Sequence, residues 1–519
     1  MGGWTVTGSR DSVERRRERL AALTSWDADW AGLRVVVTGI GISGFAAADT
    51  LIELGASVVV VDGSVTERTQ AQAETLRIVG AVDVLLGPEA VQTLPLIEGE
   101  LPDLVVTSPG WRPDQAVLAG AGRKHIPVWG DVELAWRVRS RRGKKTAAWL
   151  AVTGTNGKTT TVGMAESMLR AGGLKAVAVG NVGTPILDAL REPVEYDAFV
   201  VELSSFQLHW AESLSPVASV VLNVAEDHVD WHGSYESYLA DKAKIYRNTQ
   251  KAAVYNAEQI ETERMVEEAD VVEGCRAIGF TTRTPGLSML GVVDGLLVDR
   301  AYIPERKDHA AELASVADLG EIAPRHMVAN ALAAAALVRA IGVEPVAVRE
   351  GLRSYLPGDH RIQPVATIDG VVWVNDSKAT NPHAASASLA AFDSVVWIAG
   401  GLSKGVTYDE LVARHSARLK TVVLIGVDSS DLEGALRRHA PNVPVIRVDP
   451  GETEEDRPDG ASIMARAVEH AAETAGTGDT VLMAPAAASM DQFASYAQRG
   501  TAFIDAVHRL VEGKAQSKE

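Results

Sequence analysis

Apolar residues along the chain come in short runs, each closed by small, polar or charged residues. The first, Leu33–Thr38, enters a glycine turn and then a helical stretch to Leu54, which Gly55 ends; a second run, Ser57–Val61, stops at Asp62. Strand, turn, helix and strand in that order predict a β-α-β unit and the start of a parallel sheet. Leu104–Val106 is a further strand, running into Ser108-Pro109-Gly110. A second set of strands opens at Ala147–Val152 and continues with Ala198–Val201 and Val217–Leu222, and the alanine-rich stretch Asn330–Ile341 reads as a helix. A third set is Val371–Val374, Val395–Ile398, Thr421–Ile425 and Val481–Met483. Residues 1–32 are polar and charged with scattered tryptophans, and 257–322 reads as charged and irregular. The pattern predicts an α/β protein of three domains, each a mainly parallel sheet flanked by helices: residues 33–141, 142–356 and 357–519, after an N-terminal extension of residues 1–32. In such sheets ligands bind beyond the carboxyl ends of the strands.

Composition narrows the function classes. The chain has 519 residues, 46% hydrophobic and 23% charged, the balance of a soluble globular protein. Its net charge of −18 argues against a nucleic-acid partner, because phosphate backbones are held by Lys and Arg. The basic stretch Arg137–Lys145 reads as a solvated linker. Cys275 is the only cysteine, so no internal disulfide forms, which fits a reducing cytosol. The longest strongly apolar run, Ala331–Val338, is too short to span a bilayer. Arg15, Arg16, Arg17 and Arg19 precede no apolar core, so no signal peptide is expected. A cytoplasmic enzyme without membrane insertion is the expectation.

The strongest chemical signal follows the strand Ala147–Val152. Gly154-Thr155-Asn156-Gly157-Lys158-Thr159-Thr160 leads into a helix, and such a loop aims backbone N–H groups and a helix N-terminus at phosphate oxygens. Lys158 would reach the β- and γ-phosphates and Thr159 a Mg²⁺ ion, although Val152 stands where the common motif has its first glycine. ATP is the expected ligand. Gly39-Ile40-Gly41-Ile42-Ser43-Gly44, with Asp62 ending the next strand, reads as a dinucleotide fingerprint; NAD and another nucleotide are equally open, and an NAD-dependent oxidoreductase is one alternative. Glu202 and the segment Asn223–His228 close two strands of the second domain, where hard oxygen ligands for Mg²⁺ are wanted. His228 reads equally as a buried histidine or a functional one. Lys242 sits in a stretch that reads as an amphipathic helix with its lysines facing water. The third domain offers Asp359-His360-Arg361, Asn375–Pro382, Gly400–Gly405 and Pro485–Phe493, lysine- and serine-bearing loops that suit an anionic substrate.

Taken in order, TGTNGKTT, ELSSFQL, NVAEDH, YLADKAKIY, HR, NDSKATN, GGLSKG and PAAASMDQF resemble the Mur ligases from about Leu33 to about Val511, in the branch that adds D-glutamate. That resemblance implies Rossmann-like first and third domains around a phosphate-loop ATPase-like second domain. It implies a monomeric enzyme using ATP and two Mg²⁺ sites to join UDP-N-acetylmuramoyl-L-alanine to D-glutamate; L-glutamate or another amino acid is the alternative acceptor. The first domain would then hold UDP and not NAD, with Gly41, Ser43, Asp62, Ser108, Gly110, Asn181 and Ser204 around the precursor. Thr159 and Glu202 match ligands of one Mg²⁺, and His228 and Lys242, with Lys242 carbamylated, ligands of the other. Asn330, Arg361 and Asp376 match ATP-binding positions beside the phosphate loop. Lys378 matches a catalytic lysine, and Thr380, Lys404, Ser489 and Tyr496 match the amino-acid site. Tyr496 replaces the family's usual phenylalanine, and Gly63-Ser64 follow Asp62 where some relatives carry Thr-Arg.

Overall fold

The computed structural model describes residues 7–320, 322–356, 358–403, 405–448 and 459–516. The chain folds as two compact units, Met1–Asp318 with Ala329–Ser354, and Leu319–Val328 with Tyr355–Glu519. It is an α/β protein with three mostly parallel sheets flanked by helices, two in the first unit and one in the second.

The first sheet holds β1 (Arg34–Thr38), β2 (Ser57–Asp62), β3 (Asp83–Leu86), β4 (Leu104–Thr107) and β5 (Val128–Gly130) in the order β3-β2-β1-β4-β5, all parallel. Helices cover both faces, so the valines of β1 and β2 are buried throughout. The strand order reverses between β1 and β4, the kind of switch point beyond which such sheets bind ligands. Residues 7–32 are more than an extension. A helix spans Thr7–Ala22, and Leu20, Leu23, Trp26 and Trp30 are buried in the unit's core. Trp26 N–H donates to the Ser140 carbonyl at 2.8 Å. The basic stretch that follows is only in part the solvated linker expected. Arg137 lies in the helix Asp131–Val138, pairs with buried Glu133 at 2.7 Å and covers the Trp129 ring, while Arg139 covers Trp136.

The second sheet holds β6 (Ala148–Thr153), β7 (Ala176–Gly180), β8 (Ala198–Glu202), β9 (Ala218–Val221), β10 (Ala252–Asn256), β11 (Arg276–Phe280), β12 (Met289–Val293), β13 (Leu296–Asp299) and β14 (Ala311–Ser315). Its order is β14-β13-β12-β11-β10-β9-β6-β8-β7, antiparallel only at β12-β13 and β13-β14. The expectation that 257–322 is irregular is therefore wrong. It holds the helix Ile260–Glu267 and four short strands. Asp294 (φ 49°) and Gly295 (φ 76°) form the tight turn of the β12-β13 hairpin, and Asp-Gly between apolar runs is the sequence signal that marks it.

The third sheet holds β15 (Gln363–Ile368), β16 (Val371–Asn375), β17 (Val395–Gly400), β18 (Leu419–Ile425), β19 (Val445–Arg447) and β20 (Thr480–Met483) in the order β15-β16-β20-β17-β18-β19, with only β15 antiparallel to its neighbour. Alternate residues feed two cores: Val374 and Trp397 one, Trp373, Val396 and Ile398 the other. The run Ala331–Val338 is fully buried in the helix Arg325–Arg339. Among the described residues no helix is long and apolar enough to cross a membrane.

Candidate active site

The turn between β6 and the helix Lys158–Ala171 is the phosphate loop the sequence predicts. Gly154 (φ 156°) and Gly157 (φ 84°) take backbone conformations that other residues rarely adopt, and a Cβ on Gly157 would overlap the Asn330 side-chain oxygen. Asn330 is thus held against the loop from the helix Arg325–Arg339. The loop is braced from β9: Asn156 N–H donates to Asn223 Oδ1 at 2.9 Å, Asn223 Nδ2 donates to the Asn156 carbonyl at 3.0 Å, and Thr155 N–H donates to the Asn223 carbonyl at 2.9 Å. The Thr155 hydroxyl meets the Tyr238 hydroxyl at 2.8 Å. Lys158 Nζ curls back onto the carbonyls of Gly154 (2.8 Å) and Thr155 (3.0 Å). Thr159 and Thr160 open the helix whose first N–H groups face the loop.

Lys242 is where the residue-level reading fails. It does not face water: it is 2% exposed, and its Nζ donates to the Gly154 carbonyl at 2.9 Å, over the Tyr238 ring. Its helix, Tyr235–Ala243, packs on the phosphate loop, and a contact 88 residues back in the chain is invisible to local periodicity. Burial first, and then the Lys158 charge, push the Lys242 amine well below its ordinary range; Asp227 and Glu202 pull the other way. Lowering the pKa of an amine raises the share of the neutral form, which is the form that reacts with an electrophile.

Glu202 ends β8 and is 2% exposed. Asn181 donates to its Oε1 at 3.0 Å, and the Asn181 N–H to its carbonyl at 3.0 Å. Gly180 (φ 109°) allows that approach, since a Cβ would overlap the Glu202 carbonyl. Glu202 Oε2 is buried without a hydrogen-bond partner. A buried orphan carboxylate oxygen is costly unless a cation completes it. His228, at φ 54°, opens the helix Val229–His232 with its half-exposed ring on Phe206. Partial burial and the charges of Lys242 and Lys158 push its pKa down against the pull of Asp227. Among the described residues no three His, Cys, Asp or Glu side chains form a metal cluster. A carboxylate, an imidazole and a hydroxyl around a phosphate loop instead suit an ion that takes its remaining ligands from phosphates and water.

The turn after β1 has a different character. Gly39 and Gly44 pack against Ser108, where a Cβ on either would come within 2.8 Å of the Ser108 hydroxyl. Ser108 Oγ itself is buried without a partner. Above Gly41 and Gly110 there is open space, and Gly41 leaves the N-terminus of the helix Ile42–Glu53 without a side-chain cap. Both Asp62 oxygens are occupied: one accepts from Ile40 N–H at 2.8 Å, the other from Ser64 N–H at 2.8 Å and its hydroxyl at 2.9 Å. Asp62 therefore staples its own turn, which weakens the ribose-binding role that an NAD-type reading gives it. Gln207 donates to the half-buried Asp131 carboxyl at 3.3 Å, and burial pushes that carboxyl up against the pull of Gln207 and Ser43. Gln207 in turn forms a capping box with Ser204, which links Ser204 to a residue, Asp131, that the sequence reading missed.

In the second unit the loops after β16, β17, β18 and β20 converge. Asp376 accepts from Ile362 N–H at 3.3 Å and from the Ser388 hydroxyl, and burial pushes its carboxyl up to about 6 against these bonds and the Arg361 charge. Lys378 Nζ lies 3.8 Å above the Tyr496 ring, so the Phe-to-Tyr departure keeps an aromatic platform for this lysine. Thr380 N–H donates to the Lys378 carbonyl. Ser489 is buried in the β20 loop, which pairs with the β17 loop through Leu402 and Ala488. Lys404 lies outside the described residues. Arg499, 1% exposed, was missed: it donates to the Ser377 hydroxyl at 3.1 Å, the Ser377 carbonyl at 3.0 Å and the Ala487 carbonyl at 3.1 Å, tying the β16 and β20 loops. Its one signal in the sequence is an arginine a helical turn after Tyr496.

Residues 152–338 match the Mur ligase middle domain, and 360–487 match the Mur ligase glutamate ligase domain. UDP-N-acetylmuramoylalanine–D-glutamate ligase of Streptomyces coelicolor is 55% identical over 482 residues, covering 93% of this chain and 99% of that protein. The chain belongs to the Mur ligase family. The enzyme of the same name from Leifsonia xyli is 52% identical over 510 residues, 96% of each chain. The Mur ligase fold is found again in the crystal structure of MurF from Acinetobacter baumannii, with a TM-score of 0.55 at 15% identity over 92% of this chain and 94% of that one. In this Mur ligase the phosphate loop lies within the matched middle domain, and Arg361, Asp376, Lys378 and Thr380 within the matched glutamate ligase domain.

Proposed function

We propose that this Mur ligase joins D-glutamate to UDP-N-acetylmuramoyl-L-alanine with ATP as the energy source, a step of peptidoglycan precursor synthesis in the cytoplasm, and acts as a monomer. The observation that carries the reading is the meeting of Lys158 and Lys242 on the Gly154 carbonyl, beside the orphan oxygen of Glu202, in a chain 55% identical to an enzyme of that name.

A carboxylate is a poor electrophile. One oxygen of the L-alanine carboxylate attacks the γ-phosphorus, the bond to the β-γ bridging oxygen breaks, and ADP leaves. The amine of D-glutamate, having lost a proton, then attacks the carboxyl carbon of the acyl phosphate. The tetrahedral intermediate collapses to an amide and expels phosphate, which carries away the original carboxylate oxygen. Such phosphoryl transfer depends on positioning and charge neutralisation. The loop N–H groups and Lys158 hold the phosphates; Lys378, propped on Tyr496, stabilises the developing oxyanion. Thr159 and Glu202 would hold one Mg²⁺, and His228 with carbamylated Lys242 a second. Bound Mg²⁺ supplies neutralising charge to the phosphate oxygens. The burial that pushes the Lys242 amine below its ordinary range supports its reaction with carbon dioxide, which converts an amine into an oxygen ligand. Gly41, Ser43, Ser108, Gly110, Asn181 and Ser204 line or organise the precursor site. Asn330, Arg361 and Asp376 serve ATP, and Thr380, Lys404, Ser489 and Tyr496 the D-glutamate.

Phosphate release tests the reading. With ATP, Mg²⁺ and the UDP precursor, D-glutamate should start steady release and L-glutamate should not. Equal rates with the two enantiomers would point to a different acceptor; release without any amino acid would point to a phosphatase.

A further inference from the structure

Each segment that brings Glu202, His228 or Lys242 to the phosphate loop also supplies one member of a second, buried chain of hydrogen bonds. Ser205 follows Glu202 by three residues, His232 follows His228 by four, and Asp241 immediately precedes Lys242. Ser205 Oγ meets His232 Nε2 at 3.0 Å, and His232 Nδ1 meets Asp241 Oδ2 at 2.9 Å. His209 Nδ1 reaches the same Asp241 oxygen at 2.8 Å. Lys244 Nζ lies 2.7 Å from Asp241 Oδ1 and also donates to the His209 carbonyl at 2.9 Å. The Phe206 ring stacks on the His232 ring.

A serine, a histidine and an aspartate bonded in that order have the connectivity of a hydrolase triad. Burial excludes that role. Ser205 is 2% exposed and the His232 side chain is wholly buried, so no substrate carbonyl reaches Oγ. Stability alone is also a weak reason for the chain, since buried ionic groups seldom outperform well-packed apolar ones. Placement is a better one. Successive residues on a helix point about 100° apart. Holding Asp241 toward His209 and His232 therefore fixes the rotation that turns Lys242 toward Gly154. Holding His232 between Ser205 and Asp241 likewise fixes the short helix that begins at His228.

We propose that the Ser205–His232–Asp241 chain, with His232 at its centre, is the positioning element of the phosphate-transfer site, locking the segments of Glu202, His228 and Lys242 into one cradle. This rests on the reading of those three residues as holders of metal-bound phosphates. Three variants grade the chain. Ser205→Ala deletes one hydroxyl, His232→Asn keeps a donor toward Asp241, and His232→Phe removes both bonds within a similar ring.

The experiment is calorimetric titration of the full chain with a non-hydrolysable ATP analogue, with and without Mg²⁺, beside kcat, precursor KM and Tm. In His232→Phe the affinity gained from Mg²⁺ should fall about tenfold and kcat by about 10–100-fold. Metal-free affinity and precursor KM should stay at wild-type values, and His232→Asn should recover part of the loss. Ser205→Ala should show the smaller loss, and it carries the test if His232→Phe fails to fold. An unchanged Mg²⁺ gain in the variants would overturn the proposal. So would a parallel fall of metal-free affinity, precursor KM and Tm, the mark of a merely structural role. A wild-type protein that gains no affinity from Mg²⁺ would instead sink the site reading beneath it.

Discussion

The turn after β1 and the turn after β6 occupy the same place in their sheets: each leaves the carboxyl end of a parallel strand and opens a helix. Around Gly39–Gly44 the Asp62 carboxylate is consumed by Ile40 and Ser64, and the open space lies over glycine backbone. Around Gly154–Gly157 two lysines converge on one carbonyl and a carboxylate oxygen is left unpaired. A glycine-rich turn by itself reports only that backbone approaches something closely. The side chains that arrive from elsewhere decide whether it binds a group or helps transform it.

The largest break of this contrast is Lys158→Ala, which should lower ligation about 10³-fold while leaving precursor affinity intact; loss of precursor binding in parallel would erase the distinction between the turns. Lys242→Ala should cost about 10²-fold, with acetate restoring part of the rate, and an absence of rescue would leave a lysine with no ligand role. Gly157→Ala meets both a left-handed backbone and Asn330, so a loss of about 10-fold in kcat is expected together with about 1–3 kcal/mol of stability. Wild-type melting and turnover there would show that the loop tolerates a side chain.

The carboxylates sharpen the same contrast. Asp376 is raised from 3.8 to about 6, so the penalty for ionising it in the fold is absent below about pH 4 and complete above about pH 6. Relative to wild type, Asp376→Asn should therefore gain roughly 3 kcal/mol of stability between pH 4 and pH 7.5, at about 1.4 kcal/mol per unit. A difference that stays flat with pH would mean the carboxyl is not penalised. Asp62→Ala should have the smallest effect, about 1–2 kcal/mol from lost turn hydrogen bonds and a few-fold rise in precursor KM with kcat unchanged. A fall in kcat there would give the first turn a part in the chemistry.

What the sequence made legible was what lies close together along the chain. Strand, glycine loop, Lys-Thr and helix in order identified Gly154–Thr160, and the strand ends at Glu202 and Asp376 were visible as breaks in apolar runs. Burial created by distant segments was not. Lys242 reads as solvent-facing until the phosphate loop closes over it, and Arg499 draws no notice until the β16 and β20 loops fold around it. Asp62 reads as a ligand group because its partner, Ile40 N–H, is 22 residues away. In 257–322 the strands are only four or five residues long, too short for alternation to stand out against the charges between them. The ordered set of motifs carried the family, because each loop occupies a strand end of one shared architecture.

The central claim is that the phosphate loop delivers a γ-phosphate to a carboxylate. Labelling the L-alanine carboxylate of the UDP precursor with oxygen-18 and analysing the released phosphate by mass spectrometry tests it directly. One labelled oxygen per phosphate released, dependent on D-glutamate, is the predicted result; unlabelled phosphate accompanying amide formation would contradict the account.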